Sequence, residues 1–436
     1  MACLKWCCKF LSNDFQSSIQ KEDDTITTCS VSDGEVSYWN HCGAAILPNE
    51  VRVAGQRSLF REPYESSPGK DDWEEVQELF GKLIDTPLIE NISLIPNTAY
   101  GITMMMQNLT CTSVKKKVLV LQDQFSSTIY PWQDSPHWNL HIIPYPDYSR
   151  KNQTWTSMIQ STLQTADDID VVCIPPCHWS DGSIVDYKQI ALICSSRKIP
   201  LILDATQFIG IAPFSIQNDF PKSLDLAVIV TTHKWCMGPF GMTLFYFSQS
   251  FLNNRMNLPL VSHGRNRSEY HTERRYGIPH HNNDLENMYP PTYNNSGACK
   301  YHGGGKDNPI SIAILKAGLQ YVLQHSLASQ RAQDHLKQIT DTICQETQQW
   351  GYRSTAPSHQ RYGHVLGLTL PQNNTFILLK LVQRLKEQHR VIVAAKCGTL
   401  RISPSMTTSE QDVHHLLTAL QHETNLFTSD PSYAQL

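Results

Sequence analysis

Nowhere in the 436 residues do about 18 apolar residues run together, so no transmembrane helix is expected. The first 15 residues hold Lys5 and Lys9 but no apolar run long enough for a secretory leader. A strong charge of one sign is also missing. The net charge of -4 argues against nucleic acid or an anionic membrane as the main partner. Internal repeats and long low-complexity tracts are absent. The 13 cysteines are odd in number and lack zinc-ribbon spacing. Cys173 and Cys177, flanking Ile-Pro-Pro, are a weak metal signal, and no metal is expected. Free thiols in a reducing, cytoplasmic compartment fit this usage best. Cys3, Cys7 and Cys8 are candidates for acylation, but Ala2 stands where N-myristoylation needs glycine.

What is present is a soluble globular composition, 40% hydrophobic and 9% aromatic. The length implies a large domain plus a smaller one. Residues 1–33 are polar and read as a disordered extension. Residues 71–84 carry Trp73, Val76, Leu79, Phe80 and Leu83 at helical spacing. From residue 117 short apolar runs alternate with amphipathic segments. Strands are predicted at 117–121, 140–144, 169–174, 199–203, 226–230 and 243–247, with helices at 155–163 and 187–195. This alternation predicts a mostly parallel sheet covered on both faces. Residues 253–308 show no clean period and read as long loops. Helices at 309–324, 328–349, 374–388 and 409–421 then surround short strands near 363–370 and 390–403, the pattern of a small α+β domain.

Two strand ends carry chemistry. The run Leu201-Ile-Leu-Asp204-Ala-Thr-Gln207 is an apolar strand ending in a carboxylate, and ligands bind beyond the carboxyl ends of parallel strands. Such a carboxylate stays ionised beside a cation such as a protonated pyridine; alternatively, Asp204 caps the next helix. The second strand runs into Thr231-Thr-His233-Lys234-Trp, followed by glycines 238 and 241. Lysine is among the least buried residue types. At the end of an apolar strand it suits a desolvated amine that attacks an aldehyde; the alternative is a surface lysine.

Asp-x-x-Gln followed by a strand and His-Lys-Trp resembles the class V aminotransferase superfamily of pyridoxal phosphate (PLP) enzymes, which includes kynureninase, isopenicillin N epimerase and cysteine desulfurases. The resemblance runs from about residue 37 to 422. It implies PLP fold type I, the aspartate-aminotransferase-like α/β fold, with a mostly parallel seven-stranded sheet between helices and a small α+β C-terminal domain. The corresponding boundaries are 34–310 for the large domain, with a substrate-side segment at 34–70, then 311–424 for the small domain and 425–436 for a tail.

The resemblance also implies roles. Lys234 would hold PLP as a Schiff base. Asp204 would pair with the ring nitrogen, and Gln207 would contact the cofactor. Phe125, in Asp123-Gln-Phe-Ser-Ser, would stack on the ring; the alternative is a core phenylalanine. Thr98, Ala99, Thr231 and His233 would bind the phosphate, Thr98 and Ala99 at a helix start in Pro96-Asn-Thr-Ala-Tyr-Gly. Asn40 and His41, in the substrate-side loop, would bind substrate, as would Ser180 in the segment at the strand end facing the cofactor, where either Ser180 or Trp179 would approach substrate or cofactor. Arg401, in Leu-Arg-Ile-Ser-Pro, would pair with the substrate α-carboxylate, unless it is a surface ion-pairing residue. A loop near Gly305 would reach a neighbouring subunit, implying a homodimer.

The expected substrate is an α-amino acid. The lead reaction is side-chain cleavage of the kynureninase or C–S-lyase kind; transamination, epimerisation and a non-catalytic binding module are alternatives. A persulfide-forming desulfurase is disfavoured, because Cys397 lies too close to Arg401 to match that group's mobile cysteine loop.

Overall fold

The computed structural model describes residues 36–60, 72–110, 115–150, 152–256, 297–298, 301–303, 308–371 and 375–429. The expectations for residues 1–33, for Cys3, Cys7 and Cys8, for the Gly305 loop and for most of 253–308 lie outside these residues.

In chain order the first half contains β1 (Ser37–Tyr38), α1 (Asn49–Leu59), α2 (Asp72–Leu83), β2 (Ile92–Ile95), α3 (Thr98–Leu109), β3 (Lys116–Leu121), α4 (Ser126–Gln133), β4 (Trp138–Ile143), α5 (Trp155–Thr165), β5 (Val171–Ile174), α6 (Tyr187–Arg197) and β6 (Leu201–Asp204). There follow α7 (Ile216–Asp219), β7 (Leu226–Thr231), β8 (Thr243–Phe247), α8 (Gln249–Arg255), α9 (Pro309–Gln324), α10 (Gln330–Gln348), β9 (Arg353–Ser354), β10 (Leu366–Thr369), α11 (Thr375–His389), β11 (Val391–Ile392), β12 (Ala394–Lys396), β13 (Thr399–Ile402) and α12 (Glu410–Ser429).

Seven strands form one sheet in the order β2-β8-β7-β6-β5-β3-β4. It is parallel except around β8, which runs antiparallel to both β7 and β2. All six predicted strands are in it. The seventh, β2, was not predicted; its Ile-Ser-Leu-Ile is four residues long and buried throughout, so it shows no alternation. The strands read as continuous apolar runs because both faces are covered. Leu119, Val172, Leu201, Val228 and Leu244 pack on one side, and their neighbours Val120, Val171, Ile202, Ala227 and Phe245 on the other. Helix α8 shows that the predicted 253–308 loop begins too early, since residues 253–255 are helical. Helix α12 continues past the predicted end at 421 to Ser429.

Helix α3 lies close against the sheet: a Cβ on Gly101 would fall 2.6 Å from the Ile95 side chain. The C-terminal elements build a four-stranded antiparallel sheet, β12-β13-β10-β9, under a third apolar cluster that includes Trp39. Strand β1 pairs in parallel with β11 in a separate two-stranded sheet, and Asn40 bridges to Ser403, just past the end of β13. A few residues on, Ala45 N–H donates to the His233 carbonyl at 2.9 Å. The same short segment therefore contacts the residues that follow β13 and those that follow β7.

Candidate active site

Strands β3, β5, β6 and β7 are parallel neighbours, so their carboxyl ends lie along one edge, and β2 ends there too. The segments leaving this edge, with residues 42–43 and the β12–β13 hairpin, enclose a cavity of about 400 Å³. Its walls include Thr98, Phe125, Trp179, Asp204, Gln207, Thr231, His233, Lys234, Lys396 and Arg401, among others. Of the residues singled out in the sequence, Ala99, Asn40, His41 and Ser180 are not on this wall. Ser180 is buried against the Tyr145 hydroxyl (3.0 Å) and His178 Nδ1 (2.9 Å). His41 packs against Trp235, the rings tilted with centres 4.6 Å apart, and lines a separate cavity of about 170 Å³. Asn40 acts one step back, accepting at Oδ1 from Arg401 Nη2 at 2.8 Å.

Lys234 is half-buried, and its amine makes no hydrogen bond or ion pair among the described residues. Its amine lies 5.3 Å from the centre of the Phe125 ring. Burial lowers its pKa to about 8, against the opposing pull of Asp204. Asp204 is 8% exposed, and burial raises its pKa despite the Thr206 hydrogen bond and the Lys234 charge. The helix-cap alternative fails here. Asp204 Oδ1 accepts from Thr206 N–H at 3.1 Å, closing a turn, and no helix begins before Ile216. Gln207 is held from both ends: Nε2 donates to the Cys42 carbonyl (3.0 Å), and Oε1 accepts from Trp235 Nε1 (2.9 Å). The turn after β6 approaches the turn after β7 so closely that a Cβ on Gly210, at φ +98°, would lie 2.4 Å from the Trp235 carbonyl oxygen. Only glycine tolerates that approach and that φ.

At the other end of the cavity Asn97 caps α3, accepting from Tyr100 N–H at 2.9 Å. The first N–H groups of a helix have no acceptor within it, which makes this end an anion site. Thr98 Oγ1 and Thr231 Oγ1 lie 2.9 Å apart beside it. His233 stacks on Phe240 at 4.1 Å, and burial and then Lys234 lower its pKa to about 4, so it is a neutral imidazole. Its buried Nδ1 has no partner among the described residues.

Phe125 is 36% exposed, which excludes the core-residue alternative, and meets Trp179 edge to face at 5.4 Å. Arg401 is 2% exposed, which excludes the surface ion-pair alternative. Its Nη1 donates to the Trp179 carbonyl at 3.1 Å, while buried Nε has no partner. Sequence reasoning did not single out Lys396, Cys42 or Gln124 for the site. Gln124 gave no signal because its amide serves its own turn, accepting from Leu121 N–H and donating to Thr128.

These groups fit pyridoxal phosphate. An unpaired buried carboxylate suits a protonated ring nitrogen, the orphaned His233 Nδ1 and the α3 terminus suit a phosphate, and a desolvated amine suits an aldehyde. The profile of the aminotransferase class-V family matches residues 65–416, and the chain belongs to that family. It is a PLP-dependent enzyme. The uncharacterized aminotransferase YcbU of Bacillus subtilis (strain 168) is 20% identical over 346 residues, covering 79% of this chain and 82% of the relative. Among solved structures, the cystine C–S lyase C-DES in complex with its product cysteine persulfide has a TM-score of 0.71 at 16% identity, covering 88% of this chain and 97% of its own. The cysteine desulfurase CsdA of Escherichia coli gives 0.71 at 14% identity, with coverages of 89% and 95%. At these identities the likeness shows the fold.

Proposed function

We propose that this enzyme cleaves the side chain of an α-amino acid, with Lys234 as the residue bonded to the cofactor. One observation carries the reading: Lys234, Asp204 and Arg401 line a single cavity at the carboxyl edge of the sheet. Pyridoxal phosphate supplies an electron sink for the bond broken at or beside the substrate's α-carbon. The protein's groups do the rest. Asp204 holds the proton on the ring nitrogen. Thr98, Thr231, His233 and the α3 N–H groups bind the phosphate. Phe125 covers a ring face and, with Trp179, excludes water. Arg401 fixes the α-carboxylate and so orients the scissile bond. Lys234, with a pKa near 8, moves the proton at the α-carbon.

Side-chain cleavage without an enzyme-bound persulfide is supported by the two thiols on the cavity wall, Cys42 and Cys177, and by Cys397 outside it. Burial pushes Cys42 and Cys177 upward, and Cys397 at the hairpin tip is pushed up to about 11 by burial, Asp123 and Asp181. All three thiols are protonated at neutral pH and are poor nucleophiles. One structural neighbour, C-DES, is a cystine C–S lyase, which agrees with this reading. The free thiols of the described cysteines support a reducing, cytoplasmic setting. A homodimer, with the Gly305 loop reaching the second site, is part of the same reading.

The test is a panel of amino acids incubated with holoenzyme while alanine, released thiol and keto acid are measured. Alanine or thiol supports cleavage; keto acid formed in equal amount with the aminated cofactor makes the protein a transaminase instead. Protein lacking a visible cofactor band would be a binding module.

A further inference from the structure

Strands β12 and β13 form a hairpin closed by Cys397 (φ 47°) and Gly398 (φ 75°), two successive left-handed residues, as two-residue hairpin turns require. Its register pairs Lys396 with Thr399 and Ala394 with Arg401. Paired residues share a face, and so do residues two apart on one strand. Lys396 therefore lies on the same face as Arg401, and both line the cavity. Both also reach the same indole: Lys396 Nζ and Arg401 Cζ each lie 5.7 Å from the Trp179 ring centre.

The described lining of this cavity carries three basic side chains, Lys234, Lys396 and Arg401, and one carboxylate, Asp204. The cofactor reading uses Lys234 and Asp204, with the phosphate held at the α3 end by Thr98, Thr231 and His233, and the substrate's α-carboxylate uses Arg401. Lys396, beside Trp179 on the hairpin, has no part in these contacts. Its ammonium makes no hydrogen bond or ion pair among the described residues, and the described contact of that group is the Trp179 ring. A cation turned into a partly desolvated cavity without a counter-ion is matched when the ligand brings a second negative charge.

We propose that Lys396 is a specificity-determining residue that binds an acidic group on the substrate's side chain, so that the substrate is an amino acid with two anionic ends. The inference rests on the reading of Arg401 as the α-carboxylate partner. Trp179, placed against both cations, sets the distance between the two anion subsites and forms the wall along the substrate's carbon chain.

The test is equilibrium binding of unreactive acids to holoenzyme by titration calorimetry, with succinate and butyrate as probes of equal chain length. Succinate is expected to bind about 10-fold more tightly than butyrate, the scale of one charge-assisted hydrogen bond. Lys396→Met should erase that difference and leave butyrate affinity unchanged, with the cofactor's absorption band intact. Arg401→Gln should weaken both acids. Equal binding of the two acids by wild type overturns the inference, as does a succinate preference that survives Lys396→Met. Arg401→Gln leaving both affinities unchanged overturns the reading of Arg401 and this inference with it.

Discussion

The hydroxyls of Thr98 and Thr231 lie 2.9 Å apart, tying the first turn of α3 to the end of β7 across 133 residues of sequence. Each hydroxyl can turn from its neighbour to a phosphate oxygen. Thr98→Val or Thr231→Val should each weaken cofactor binding about 10-fold, the loss of one hydrogen bond to a charged group. Titrating apoprotein with pyridoxal phosphate measures this. Unchanged affinity in the double variant would move the phosphate elsewhere.

Lys234→Ala should abolish covalent attachment of the cofactor. Borohydride reduction of wild type, followed by peptide mapping, should mark Lys234 alone. Because the amine must be neutral to react, attachment to apoprotein should accelerate as pH rises from 7 through about 8 and then level off. The stability sign follows from the same shift. Burial depresses this lysine in the fold, so between about pH 8 and its ordinary value the unfolded chain binds more protons. The apoprotein should therefore gain stability with rising pH in that window, and Lys234→Met should flatten the gain.

Asp204→Asn should retain most of the cofactor while turnover falls on the order of 100-fold or more, the scale on which one preorganised charge acts in a dry site. Cofactor content by absorbance and turnover on the same sample separate the two effects. Near-normal turnover would mean that the carboxylate does not serve the ring nitrogen.

Arg401→Lys keeps the charge and loses the planar fork. Amino-acid binding should weaken by on the order of 2–5 kcal/mol, with the cofactor band unchanged. Equal affinity of wild type and variant, followed spectrally on adding amino acid, would refute the clamp.

Gly210→Ala places a Cβ at φ +98° against the Trp235 carbonyl, next to Lys234 in the chain. The variant should lose about 1–3 kcal/mol of stability. It should also bind cofactor less tightly, because the turn carrying Lys234 must shift. A melting curve matching wild type would show that the two turns move apart freely.

The parts of this protein legible in its sequence are those whose residues must announce themselves. Asp204 and Lys234 stand out because charged residues at the ends of apolar strands need a reason to be there. The four strands that carry the cavity are continuous apolar runs for the same reason: both faces are covered. What stayed hidden depended on pairing. The antiparallel direction of β8 leaves no mark, since Thr243–Phe247 is buried on both faces like its parallel neighbours. Nothing local in the sequence marks Lys396; the hairpin register is what sets it on the same face as Arg401. His41 and Ser180 are the converse. Both are polar and near the motifs, yet both face inward away from the main cavity, which no local pattern could reveal.

Asn40 and Arg401 touch although 361 residues separate them. On a ribosome working at about 5–20 residues per second, the first of them waits roughly 20–70 s for the second to be made. The strands that position Lys234 lie between these two residues in the chain, so they can be assembled before the hairpin that carries Arg401 is made, and the cavity gains that wall after its lysine is already in place.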